Sequence, residues 1–97
     1  MFGVRLTGAA TRDLRKLSSS VQTIIRNELV RIARNPYAGK KLQGSLSYLR
    51  STPVTHRATA YRIAYEIIED MVVVEIVMIG KREGFYQRLE RRLRGRS

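Results

Sequence analysis

The chain has 97 residues, of which 19 are Lys or Arg and 8 are Asp or Glu, a formal net charge of +11. That length suits one domain around one core and not two, so residues 1–97 are expected to form a single domain. The absence of cysteine excludes disulfides and thiolate metal sites. The charge calls for a polyanion or an acidic protein as counterpart. Arginine supplies 15 of the 19 cations, which favours planar, bidentate recognition of phosphate.

No apolar run approaches the roughly 20 residues needed to span a bilayer. The basic residues are spread over the chain rather than along one amphipathic helix, which argues against a membrane-surface role. MFGVRLTGAATR has no apolar signal-peptide core, so the cytoplasm is the expected compartment.

In chain order, Phe2, Val4 and Leu6 alternate with Gly3 and Arg5 and predict a short strand. A helix is expected over about Ala9–Leu17, opened by Thr7 or Gly8, with Ala10, Leu14 and Leu17 on its apolar side. Ser18 is the candidate N-cap of a second helix that runs to about Arg34. Val21, Ile24, Ile25, Leu29 and Ile32 make its apolar stripe, opposite Arg26, Asn27, Arg31 and Arg34. Asn35-Pro36 ends it, because the residue before proline avoids helical angles. The segment YAGKKLQG reads as a loop in which only Leu42 is expected to be buried. Strand character runs from Leu46 to Arg50, Ser51 to Pro53 breaks it, and Val54 to Arg57 resumes it.

The stretch AYRIAYEIIEDMVVVEIVMIGKREGFY predicts a core hairpin turning at Glu69-Asp70. Tyr61, Ile63, Tyr65 and Ile67 share one face, and Arg62, Ala64, Glu66 and Ile68 the other. Met71 to Ile79 is apolar except for Glu75, as expected of a strand covered on both faces. Phe85, Leu89 and Leu93 then predict a short terminal helix within Glu83–Leu93, followed by a basic tail with Arg91, Arg92, Arg94 and Arg96. The sum is an α+β fold: an N-terminal strand and two-helix hairpin packed on a mainly antiparallel sheet of about four strands, with a short C-terminal helix.

The short strand, two helices ending in NP, KLQG, YRIAYEI and IGKREGFY, in that order, resemble the RelE/ParE superfamily of toxins from bacterial toxin–antitoxin pairs. The likeness spans roughly Val4 to Leu93, and YRIAY with GKRE is closer to the RelE branch of ribosome-dependent mRNA endonucleases than to the gyrase-poisoning ParE branch. The resemblance implies that Arg62, directly after the tyrosine of the YR strand, and Arg82, of the GKR loop, line an active site. It implies for Tyr86 a role in proton transfer or base stacking, with one fewer intervening residue than the family pattern. It also implies an acidic antitoxin partner and, as target, mRNA in the ribosomal A site. The family tends to carry lysines on the strand before YR. Pro53, Val54 and Thr55 stand there instead, leaving His56 and Arg57 as the available polar groups.

RNA brings its own nucleophile, the 2′-hydroxyl beside each phosphate. A ribonuclease therefore needs to align that oxygen, stabilise charge on the phosphorane and move two protons. Arg62 and Arg82 suit the charge, since guanidinium stays protonated; the competing reading of Arg62 is a cross-strand salt bridge to Glu75. His56 is the only histidine and is a candidate acid or base, with Arg57 a candidate phosphate contact. Lys81, Arg50, Lys40 and Lys41 are candidate contacts to the RNA backbone. The scattered acids form no carboxylate pair, so neither a metal nor another cofactor is expected. Two alternatives share these features: a ParE-like inhibitor of DNA gyrase, and a non-catalytic RNA-binding protein.

Overall fold

In the computed structural model, which describes residues 1–95, the chain opens with strand β1 (Gly3–Leu6) and two helices, α1 (Gly8–Arg15) and α2 (Ser19–Arg34). Both helices begin on side-chain caps. The Thr7 hydroxyl accepts the Ala10 N–H at 3.1 Å, and Ser18 accepts the Val21 N–H at 3.4 Å. At Asn35 φ falls to −150°, out of the helical region, and Pro36 opens a 3-10 turn over Pro36–Ala38. Then come β2 (Lys40–Lys41), a 3-10 turn at Gly44–Leu46, β3 (Leu49–His56), β4 (Thr59–Ile68), β5 (Val73–Lys81) and α3 (Phe85–Arg94). The turn between β4 and β5 takes in Glu69–Met71 and a left-handed Val72.

The five strands lie in the order β1-β5-β4-β3-β2, antiparallel except for β1, which runs parallel to β5. The sheet thus has five strands where about four were expected, the extra one being the two-residue β2. Leu42, just after it, is buried as expected. β3 also differs from expectation, because it runs unbroken through Pro53. β2 pairs only with Arg50 and Ser51, so beyond them β3 is the sheet edge, where a strand tolerates a residue without an N–H.

The helices bury one face of the sheet. Leu14, Val21, Ile25, Leu29 and Ile32 pack on Val54, Tyr61, Ile63, Tyr65, Val74, Ile76 and Ile79. The other face carries a smaller cluster of Leu42, Leu49, Ala64, Val77, Met78, Phe85 and Leu89, the last two from α3. In β5 the alternation shifts by one residue: Ala64 stands opposite Met78, but Tyr65 stands opposite Ile76. This bulge lets Val77 and Met78 both join the α3 cluster. It explains why the β5 sequence is apolar without alternating.

Above Ile76, β5 has no neighbour on its β1 side, and side chains close that edge. Asp13 of α1 accepts the Ile79 N–H at 3.0 Å and takes both arms of Arg92 from α3, at 2.7 and 2.9 Å. Arg92 also reaches the Val77 carbonyl at 3.0 Å. The bidentate bond to Asp13 raises the Arg92 pKa and ties α3 to the rest of the fold. Among the described residues, no helix is long and apolar enough to cross a membrane. Arg96, counted above in the basic tail, lies outside the described residues.

Candidate active site

Strand periodicity decides where Arg62 goes. In β4 it stands opposite Pro53 on β3 and Gly80 on β5, on the face that α3 only partly covers. Its guanidinium lies 5.5 Å from the centre of the Tyr86 ring. Its Nε is buried without a hydrogen-bond acceptor. The salt bridge to Glu75, the competing reading of the sequence, does not form: Arg5 of β1 occupies that carboxylate at 2.9 Å. A buried donor left unmade costs about 1–3 kcal/mol, so the fold holds Arg62 at this position at the expense of stability. Arg62 is therefore placed against an aromatic face with a donor unused.

Tyr86 sits in the first turn of α3, about two-fifths exposed. Gly84, at φ 64°, turns the chain directly from the loop into the helix, so even the shortened spacing brings Tyr86 over Arg62. The ring meets Phe85 edge-on at 5.5 Å. Its hydroxyl is 3.0 Å from the hydroxyl of Ser51, which is fully buried. Sequence reading missed Ser51 by treating Ser51 to Pro53 as a strand break. With β3 continuous, Leu49, Ser51, Pro53 and Thr55 share the face of Arg62.

Arg82 follows the last residue of β5. Its N–H bonds the Ala60 carbonyl at 3.0 Å, holding the loop beside the strand that carries Arg62. Its exposed side chain borders a cavity of about 620 Å³ between Thr59, Ala60, Lys81 and Arg88. Lys81 stands opposite Tyr61, so its register belongs to the other face.

Of the remaining strand candidates, Lys40 alone has the register of the face that carries Arg62 and Ser51. His56 pairs with Thr59 and shares the face of Val54 and Tyr61, opposite to Arg62. Arg57 is at the exposed tip of the β3–β4 turn with φ 55°. Arg50 holds a loop: its guanidinium donates to the Tyr37 and Gly39 carbonyls at 3.3 and 3.0 Å and lies 5.6 Å over the Tyr37 ring. Lys40, opposite Ser51, and Lys41, opposite Arg50, are exposed on the edge strand. Two other tyrosines are structural. Donation to Glu69 raises the Tyr37 pKa, and burial raises that of Tyr65, which donates to the Pro36 carbonyl at 2.6 Å. Among the described residues, no three His, Asp or Glu side chains converge as a metal-ligand set.

Residues 4–90 match the family described as the ParE-like toxin of the type II bacterial toxin-antitoxin system. The chain is 32% identical over 75 residues to the mRNA interferase toxin RelE of Escherichia coli, covering 76% of each. The isolated E. coli RelE toxin superposes with a TM-score of 0.70 at 27% identity, over 96% of this chain and 99% of that one. A chain of the toxin–antitoxin complex RelBE2 from Mycobacterium tuberculosis gives 0.72 at 30% identity, over 84% of this chain and 98% of that one. The fold thus has a counterpart over nearly its whole length, and this chain belongs to the RelE/ParE superfamily of type II toxins.

Proposed function

We propose that this toxin is a ribosome-dependent mRNA endoribonuclease that stops translation by cutting message. The observation that carries the reading is Arg62, held against the Tyr86 ring with a buried Nε that has no acceptor. The relationship to a protein named an mRNA interferase agrees with it. The 2′-hydroxyl attacks the adjacent phosphorus and loses its proton. The bond from phosphorus to the 5′-oxygen breaks, and that oxygen gains a proton. The products are a 2′,3′-cyclic phosphate, or the 3′-phosphate derived from it, and a 5′-hydroxyl. Arg62 and Arg82 balance the charge gathering on the phosphoryl oxygens. Tyr86, with Ser51 on its hydroxyl, handles a proton or stacks on an unpaired base.

Residues 1–97 act as one domain in this reading, in the cytoplasm where ribosomes translate. Its partner is an acidic antitoxin: a partly disordered chain that folds around a +11 surface combines charge neutralisation with contacts in an apolar groove. The groove bordered by Phe2, Leu14, Leu29 and Val30 is of that character.

The test is cleavage of ribosome-bound mRNA by purified protein. Cleavage is expected with the native chain and is lost with Arg62→Ala plus Arg82→Ala; unchanged cleavage by the double variant refutes the assignment. One observation favours a second reading as a gyrase-directed toxin: the positions of β3 that share the face of Arg62, Ser51, Pro53 and Thr55, include no cation. Growth arrest with intact mRNA and accumulated DNA breaks would select it. RNA binding without toxicity would select a non-catalytic role.

A further inference from the structure

Arg88 borders the same cavity as Arg82, and it is already engaged. It projects from the second turn of α3 back over the loop that carries Arg82. One terminal nitrogen donates to the Lys81 carbonyl at 2.9 Å, and the other donates to the Glu83 carbonyl. These carbonyls flank Arg82 on either side, so one planar fork spans the residue that the proposed chemistry uses. The loop is shaped to receive it. A Cβ on Gly80 would stand 3.2 Å from one terminal nitrogen, and a Cβ on Gly84 would stand 3.4 Å from the other. Gly84 is also left-handed, at φ 64°. The two glycines that bracket the loop therefore leave the guanidinium its place.

We propose that Arg88 is a positioning residue: it clamps the Lys81–Glu83 backbone and so fixes where Arg82 presents its guanidinium. A short exposed loop has many backbone states; here Lys81 is held by its pairing with Tyr61, the Arg82 N–H bonds Ala60, and the Phe85 N–H bonds the Arg82 carbonyl. Two charge-assisted bonds from a helix with a buried Phe85 and Leu89 restrict it further. Lysine offers a single ammonium and cannot bridge two carbonyls in one plane. The inference rests on Arg82 acting in cleavage, as proposed above.

A double-mutant cycle on ribosome-bound mRNA tests it. Arg88→Ala is expected to lower the single-turnover cleavage rate by about 10- to 100-fold, the scale of an ångström-sized misplacement. In an Arg82→Ala background the same change is expected to add nothing, because the clamp acts only through Arg82. Arg88→Lys should recover part of the rate. Hydrogen exchange should rise in residues 81–84 of Arg88→Ala while the α3 amides stay protected. Additive losses, with a shallower salt dependence of RNA binding, would make Arg88 an RNA contact and overturn the proposal. An Arg88→Ala protein as active as the native chain, beside an inactive Arg82→Ala, would overturn the clamp alone. An Arg82→Ala protein with native activity would overturn the underlying assignment and with it any role of the clamp in cleavage.

Discussion

The two faces of the sheet are built from the same strands and treated oppositely. On one, α1 and α2 lay a continuous apolar layer over β4 and β5. On the other, α3 brings only Phe85, Leu89 and the partly buried Leu93, and the face beyond them is left to Arg62, Tyr86 and Ser51. Successive residues of β4 serve different ends: Ile63 is fully buried under the helices, while Arg62 keeps an unmade hydrogen bond on the other side. The lesson is that a two-residue period lets one strand carry stability on one face and reactivity on the other.

Substitutions can break that division. The largest effect is expected on the helix-covered face, where Ile76→Ala leaves a void in a fully buried site and costs about 2–5 kcal/mol. Chemical denaturation measures it, and a loss under about 1 kcal/mol would show the layer to be less tightly packed than described. Arg62→Ala should do the reverse: cleavage falls about 100-fold or more, while the denaturation midpoint stays near native or rises. The lost ring contact, about 0.5–1 kcal/mol, is offset by removal of an unsatisfied donor. A marked loss of stability in this variant would merge the two faces again.

A smaller effect is expected at the join between the faces. Asp13→Asn removes the charged partner of Arg92 in a partly buried pair, at a cost of about 1–2 kcal/mol. The loss should concentrate in α3, seen as faster amide exchange there, with reduced cleavage because Tyr86 rides on that helix. The smallest is an alkaline effect on the covered face. Burial holds the Tyr65 phenol above its ordinary value of 10.0, so folding favours the neutral form. Its stabilisation is complete below about pH 10 and is lost as pH rises through the raised folded value. Tyr65→Phe should lower stability at neutral pH but flatten the decline above about pH 10; parallel curves for both proteins would disprove the assignment.

Much of this division is legible in the chain. Ser18, the stripe from Val21 to Ile32, and Asn35-Pro36 set the limits of α2 through contacts within one or two turns. Likewise, the alternation around Arg62 assigns it to the face away from Tyr61 and Ile63. His56 shows how one misread residue propagates. With a break at Pro53 the strand has no phase beyond it, and the face of His56 cannot be read. An unbroken β3 puts Thr55, not His56, on the side of Arg62. The continuous apolar run of β5 hid its bulge for a related reason: a strand buried on both faces has no alternation to interrupt.

By itself, then, the sequence determined the α+β class, the limits of α2, the core hairpin and the face to which Arg62 belongs, because each depends on spacing along a single element. Tertiary structure alone decided the parallel placement of β1 beside β5, the meeting of Tyr86 with Ser51 35 residues away, and the clasp of Arg92 on Asp13 across 79 residues. Those contacts depend on which elements lie side by side in three dimensions, and local periodicity carries no record of that.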